Sequence, residues 1–248
     1  MADSSSDSSN DTPVVLISGA GSGIGRDCAL LMAEAGYAVA AVGRTGSKLA
    51  DTQTVIRDEL EQETPFLTIE ADLSTAAACD DAVARTVERF GRIDALANIA
   101  GVAPVQPIER IDEAVFDHAV DNNLKHAVFL TRAAWPHFKK QRSGAVCSVS
   151  AMAVFNAYER FNIYAAAKAG VQCFAHCVAT EGARLNITSS SVAPGAVETS
   201  LLRGNFSTKA IPEENALDPL IVAGVIRDLL TGKRAHEPGE CIQIPSPK

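Results

Sequence analysis

Tyr164 and Lys168 put a phenol and a primary amine four positions apart in Tyr-Ala-Ala-Ala-Lys. On a helix this spacing turns both toward one face, so the ammonium can stand beside the phenol oxygen. A free tyrosine titrates near ~10, and bringing it to working pH takes roughly 4 kcal/mol of charge stabilisation. A lysine charge about 5 Å away at an effective dielectric near 20 contributes roughly 3 kcal/mol. The expectation is a tyrosine that serves as general acid and base, its pKa lowered by Lys168. Asn123 stands in the middle of a helical pattern from Asp112 to Phe138, where asparagine is a poor helix former. Gly144 to Ser150 alternates as a strand, with Ser148 and Ser150 on one face. Cys173, His176 and Cys177 share one helix without a second ligand cluster, so no metal is expected.

The elements that must position these groups begin upstream. Val14 to Ile17 is a short β-branched run, followed by Ser18-Gly-Ala-Gly-Ser-Gly-Ile-Gly25 and a helical pattern through Ala35 that Gly36 stops. Strand, glycine loop and helix in this order make a pyrophosphate cradle. Gly19, Gly23 and Gly25 let the chain turn sharply and the phosphates approach the backbone, with Ser22 and Ile24 in the same loop. Tyr37 to Val42 is the next strand, and its end at Gly43-Arg44 meets the adenosine ribose in this architecture. A carboxylate there would bond both ribose hydroxyls. Gly43 instead leaves room and Arg44 can fork onto a phosphate, which favours NADP(H), with NAD(H) as the alternative. Ser22 supplies no second cation. After a helix from Ser47 to Glu63, Phe66 to Glu70 is a third strand, and Asp72 beyond it, followed by Leu73, can accept from the adenine amino group. A helix from Ala76 to Phe90 leads to a fourth strand, Ala95 to Gly101, that runs into small residues able to admit a ligand.

Gly-x-x-x-Gly-x-Gly, Asn-x-Ala-Gly and Tyr-x-x-x-Lys, in this order across βα units, resemble the short-chain dehydrogenase/reductase family from roughly Pro13 to Thr199. The resemblance implies an α/β fold: a single Rossmann-type doubly wound domain of about seven parallel strands, a nicotinamide cofactor and a homodimer or homotetramer. By motif position, Gly19, Gly23 and Gly25 hold the pyrophosphate, Asp72 meets adenine, and Asn98 with Ala100 and Gly101 lines the cofactor. Asn123 loosens its helix and holds a water that feeds protons to Lys168. Pro194-Gly195-Ala-Val197 matches the turn beside the nicotinamide, with Thr199 reaching the pyrophosphate or carboxamide, and the segment around 200–217 is a mobile lid over substrate. Family members also carry a serine that holds the substrate carbonyl oxygen. Counting back from Tyr164 puts Ala151 at its position, so Ser150 serves only if the strand end bulges, and that bulge is the expectation.

Length, charge and cysteine usage bound the remainder. A chain of 248 residues suits one α/β domain, residues 13–248, behind a Ser- and Asp-rich tail, residues 1–12, expected to be disordered and neither signal peptide nor anchor. A formal charge of -8 without a Lys/Arg run excludes a nucleic-acid surface. No apolar run reaches membrane-spanning length. Six cysteines without Cys-x-x-Cys pairs point to reduced thiols and a cytoplasmic location. The function expected is an NAD(P)-dependent oxidoreductase acting on a small alcohol or ketone, with Tyr164, Lys168, Asn123 and Ser150 as its catalytic set. A cofactor-binding regulator without chemistry competes with it, and Ala151 is that reading's main support.

Overall fold

The structure is a computed structural model that describes residues 12–247. Nearly all of the tail expected to be disordered lies outside the described residues. Seven strands, β1 (Val14–Ser18), β2 (Ala38–Gly43), β3 (Phe66–Glu70), β4 (Ala95–Asn98), β5 (Gly144–Val149), β6 (Ile187–Pro194) and β7 (Cys241–Ile244), form one sheet. Their order is β3-β2-β1-β4-β5-β6-β7, and every neighbouring pair is parallel. Helices cover both faces, which is why the strands read as apolar runs: all five residues of β1 are buried.

Alternation along β1 sorts the core into two halves. Val15 and Ile17 face a cluster with Met32, Leu49 and Ile226, drawn from α1 (Gly23–Glu34), α2 (Gly46–Leu60) and α8 (Pro219–Leu230). Leu16 faces the opposite cluster, with Val83 of α3 (Ala76–Phe90) and Leu130 and Phe138 of α5 (His126–Gln141). α6 (Asn162–Gly182) flanks α5 and packs on β5 and β6.

Two local features matter for the site. The chain leaves β3 at the sheet edge and returns to form β4 against β1, so the strand order reverses between β1 and β4 and opens a crevice beyond their carboxyl ends. The long helix expected from Asp112 exists as α4 (Glu113–Val120) running directly into α5 through a π-turn at Asp121–Lys125. One extra residue in that turn widens the helix around Asn123. The segment expected to be a lid contains the short helix α7 (Ser200–Arg203), and a bridge between Val197 and Leu217 closes its base.

Candidate active site

At the switch point β1 delivers Ser18, whose hydroxyl accepts the N–H groups of Ile99 (2.9 Å) and Ala100 (3.1 Å) and so locks the loop after β4 onto the glycine loop. Gly19 turns the chain at φ 73°. A side chain at Gly25 would put its first carbon 2.1 Å from the Gly19 carbonyl oxygen, so only glycine lets α1 start this close to β1. Ser22 caps α1 in extended conformation without using its side chain, leaving the helix's first N–H groups for an anion.

The crevice encloses about 340 Å³. Of the residues expected to hold a cofactor, Gly19, Ser22, Gly23, Ile24, Gly25, Arg44, Asp72, Leu73, Ala100, Gly101 and Thr199 line it. Asp72 spends one carboxylate oxygen on the Ser74 N–H at 3.0 Å. Thr199 reaches the glycine loop from α7's first turn, close enough that a side chain on Gly23 would strike its methyl at 2.7 Å. The geometry of a glycine cradle, a helix start with unspent donors and a cation at the ribose end fits a dinucleotide.

Four of the other expected cofactor residues, with Tyr164 and Lys168 described below, are not among the residues that line the crevice. Asn98 is buried, and its amide donates to Ser148 Oγ (3.1 Å) and Thr131 Oγ1 (3.3 Å), so it fastens β4 to β5 and α5 rather than lining the crevice. Pro194 still belongs to β6 and pairs with Ile244. Gly195 packs against Ser246, which holds the neighbouring Ala196 N–H at 2.7 Å. Val197 is buried where it bridges to Leu217. In exchange the crevice gains residues that no motif flagged, among them Lys48, Asn122 and His126. Lys48 was legible: in the first turn of a helix that begins beside Arg44, it adds a second cation to this corner of the crevice.

Beyond Gly101 the crevice meets the reactive groups. A side chain at Gly101 would lie 2.7 Å from Asn123 Oδ1 and 3.3 Å from Lys168 Nζ. Asn123 is fully buried, and its side chain is spent on backbone: Nδ2 donates to Val102 O (2.9 Å) and Ala119 O (2.8 Å), while Oδ1 accepts the Val102 N–H (3.2 Å). The side chain therefore pins the loop after β4 to the π-turn. Lys168 is buried, and its ammonium donates to Val149 O at 2.8 Å while standing 6.0 Å from the centre of the Tyr164 ring. Burial draws the Lys168 pKa down to about 8. Tyr164 is flanked edge-on by Phe161, which in turn stacks on Phe206 of the 200–217 segment.

Two expectations about these groups are corrected. Burial pushes the Tyr164 phenol up to about 12, the reverse of the expected lowering. The lysine ammonium is directed at the Val149 carbonyl, and desolvation of the phenolate is what moves the phenol. The bulge expected at Ser150 is absent: its N–H bonds Val192 O at 2.7 Å as the regular continuation of the β5–β6 ladder. Ser150 Oγ donates to the Lys168 carbonyl at 3.1 Å, so it is turned into the packing of α6. Ala151 follows in extended backbone and puts a methyl on the other side.

A doubly wound parallel sheet with a dinucleotide cradle at its switch point and a tyrosine–lysine pair beyond it defines a class, the nicotinamide-dependent oxidoreductases. The short chain dehydrogenase family model matches residues 13–210, and the chain belongs to that family as an NAD(P)-dependent oxidoreductase. It is 31% identical over 225 residues to a 3-oxoacyl-(acyl-carrier-protein) reductase of Synechocystis sp., covering 90% of each chain. Among solved structures it resembles levodione reductase, with TM-score 0.87, 28% identity and coverage of 94% of this chain and 96% of that one. It also resembles the 3-ketoacyl-(acyl-carrier-protein) reductase of Brucella melitensis complexed with NADH, with TM-score 0.85, 27% identity and coverage of 94% and 96%.

Proposed function

We propose that the protein reduces a ketone, and in reverse oxidises the corresponding alcohol, on a small apolar molecule, with Tyr164 as the proton donor and acceptor. The observation that carries this reading is the convergence of Lys168 and the π-turn at Asn123 on Gly101, where the dinucleotide crevice ends, with the Tyr164 ring centre 6.0 Å from the Lys168 ammonium. The dinucleotide, when bound, supplies or accepts the hydride. A phenol held protonated across neutral pH suits the reductive direction, in which it gives its proton to the nascent alkoxide. Lys168 orients the cofactor ribose. The π-turn that Asn123 anchors holds a water next to Lys168. Phe161, Phe206 and Tyr158 give the substrate an aromatic wall. Arg44 and Lys48 together favour NADP(H) over NAD(H). Unpaired cysteines throughout support a cytoplasmic location, and a homodimer or homotetramer is the assembly we infer from the family.

The test is a screen of ketones and alcohols with both cofactors, following absorbance of the reduced nicotinamide. With a substrate in hand, Tyr164→Phe lowers turnover by at least about a hundredfold and leaves cofactor affinity nearly unchanged. Unchanged turnover in that variant refutes the role of Tyr164. A second reading, a cofactor-binding regulator with little chemistry, is favoured by one observation. Ala151 offers no hydroxyl to the carbonyl oxygen, and the neighbouring Ser150 is committed to the Lys168 carbonyl.

A further inference from the structure

His126 opens α5 immediately after the π-turn and lines the crevice, yet it is only 2% exposed. Neither ring nitrogen has a hydrogen-bond partner. The Asn122 carbonyl, one turn back, lies beside the ring without the geometry of a bond. Buried polar atoms left unpaired are costly, and in folded proteins nearly all find a partner. An imidazole deprived of both partners on the wall of a ligand crevice is waiting for one. Burial, with the Lys168 charge nearby, holds the ring neutral by drawing its pKa to about 3, so it carries one donor and one acceptor.

The backbone fixes which half of the crevice it serves. The Cys79 thiol lies between two carbonyls, at 3.5 Å from that of Leu73 and 3.9 Å from that of His126. His126 is thereby tied to the corner where β3 ends, the corner that also carries Asp72 and Ser74. That is the adenosine end of the crevice.

We propose that His126 is a binding residue for the adenosine half of the cofactor, its imidazole pairing with a ribose hydroxyl or the adenine edge when the dinucleotide enters. A terminal torsion of this kind has a broad, shallow profile, so a swing of the ring into the crevice is cheap. The inference rests on the dinucleotide reading and adds to it a residue that neither the glycine loop nor Asp72 implies.

The experiment uses the full chain in three forms: wild type, His126→Phe, which keeps the flat ring without its nitrogens, and His126→Gln, which restores a donor and an acceptor. Each is titrated calorimetrically with NADPH, with AMP and with nicotinamide mononucleotide. His126→Phe is expected to bind NADPH and AMP about tenfold more weakly, the scale of one lost hydrogen bond, with nicotinamide mononucleotide unaffected and with partial recovery in His126→Gln. Equal AMP affinity in wild type and His126→Phe overturns the proposal, and so does an equal loss for both fragments. If the Phe variant does not fold, the imidazole nitrogen resonances of wild-type His126 decide: a shift on adding AMP supports the contact and no shift refutes it. Wild type that binds neither NADPH nor NADH fails the dinucleotide reading itself and takes this inference with it, whereas tight NADPH binding with an indifferent His126→Phe fails this inference alone.

Discussion

Ala151 and Ser150 decide how much catalytic power the residue set holds. A hydroxyl aimed at the carbonyl oxygen strengthens its bond as charge develops there, and losing such a donor costs roughly 3 to 4 kcal/mol. Ser150 makes its bond to the Lys168 carbonyl instead, so Ser150→Ala is expected to cost stability of about 1 kcal/mol and to leave turnover within a few-fold of wild type. Ala151→Ser is expected to raise turnover by one to two orders of magnitude, roughly, because it offers the missing donor. Steady-state rates at saturating cofactor, with melting curves for both variants, check the pair; a crippled Ser150→Ala contradicts the assignment. Lys168 yields a prediction on stability. Its folded pKa of about 8 lies below its ordinary 10.5, so the unfolded chain binds the proton more tightly. The penalty, roughly 3 kcal/mol, is full below the folded pKa and fades as pH climbs through the window to the unfolded one. Lys168→Met is therefore expected to be inactive yet more stable than wild type at pH ~7, by less than that penalty because the bond to Val149 O is lost, with the gain gone by pH ~10.5. Denaturant titrations at the two pH values measure it.

At the scale of elements, cofactor choice lies where β2, β3 and the first turn of α2 meet. Arg44 and Lys48 reach the crevice from this corner. Glu70, at the end of β3, rests its carboxylate against Gly46, 2.5 Å from where a side chain there would begin. The carboxylate thus occupies the positive end of α2, and in the proposed preference for NADP(H) the two cations would hold the 2'-phosphate against it. Arg44→Ala is expected to weaken NADP(H) by about 1 to 3 kcal/mol, and Glu70→Gln to strengthen it by up to about 1 kcal/mol, with NAD(H) affinity little changed in Glu70→Gln. Titrating both cofactors against the three proteins tests this. Tighter NAD(H) than NADP(H) in wild type would show that the corner is misread. The π-turn is an element with a similar positional purpose. It widens the helix where Asn123, Gly101 and Lys168 converge, and Asn123 anchors it to the loop after β4 with two side-chain bonds to Val102, a third going back to Ala119 of α4.

For the whole molecule the crevice is a seam between the two halves of the sheet. Arg203 ties the 200–217 segment to the chain that leads into it, its guanidinium bonded to the Glu198 carboxylate and to the Ile211 carbonyl. A ligand that bridges the glycine loop, the adenosine corner and Thr199 binds only the folded chain and must stabilise all of it. At a hundredfold excess over its dissociation constant that linkage is worth about 2.7 kcal/mol. For a chain of this length the melting temperature should rise by about 5 to 10 °C. A thermal-shift assay with NADPH and NADH measures the effect and ranks the two cofactors, and no shift with either would sink the dinucleotide reading.

The motifs gave away the fold because each carries its own physics locally. A β-branched run, three glycines at fixed spacing and a helix start form a cradle whatever surrounds them, and a Tyr-x-x-x-Lys pair shares a face on any helix. Strand and helix positions followed from period and punctuation, so β3 and α3 stand where the pattern puts them. What the local pattern could not decide was direction and neighbourhood. Asn98 turned inward because Ser148 and Thr131, 50 and 33 positions along the chain, supplied its partners. Lys168 spends its proton on Val149 O, and Ser150 bonds α6, because β5 and α6 pack together. Burial then raised the Tyr164 pKa where a pairwise charge argument lowered it, since desolvation depends on everything packed around the phenol. His126 has no motif. Only the joining of α3, α5 and the end of β3 around one thiol put a neutral, unpartnered imidazole on the crevice wall.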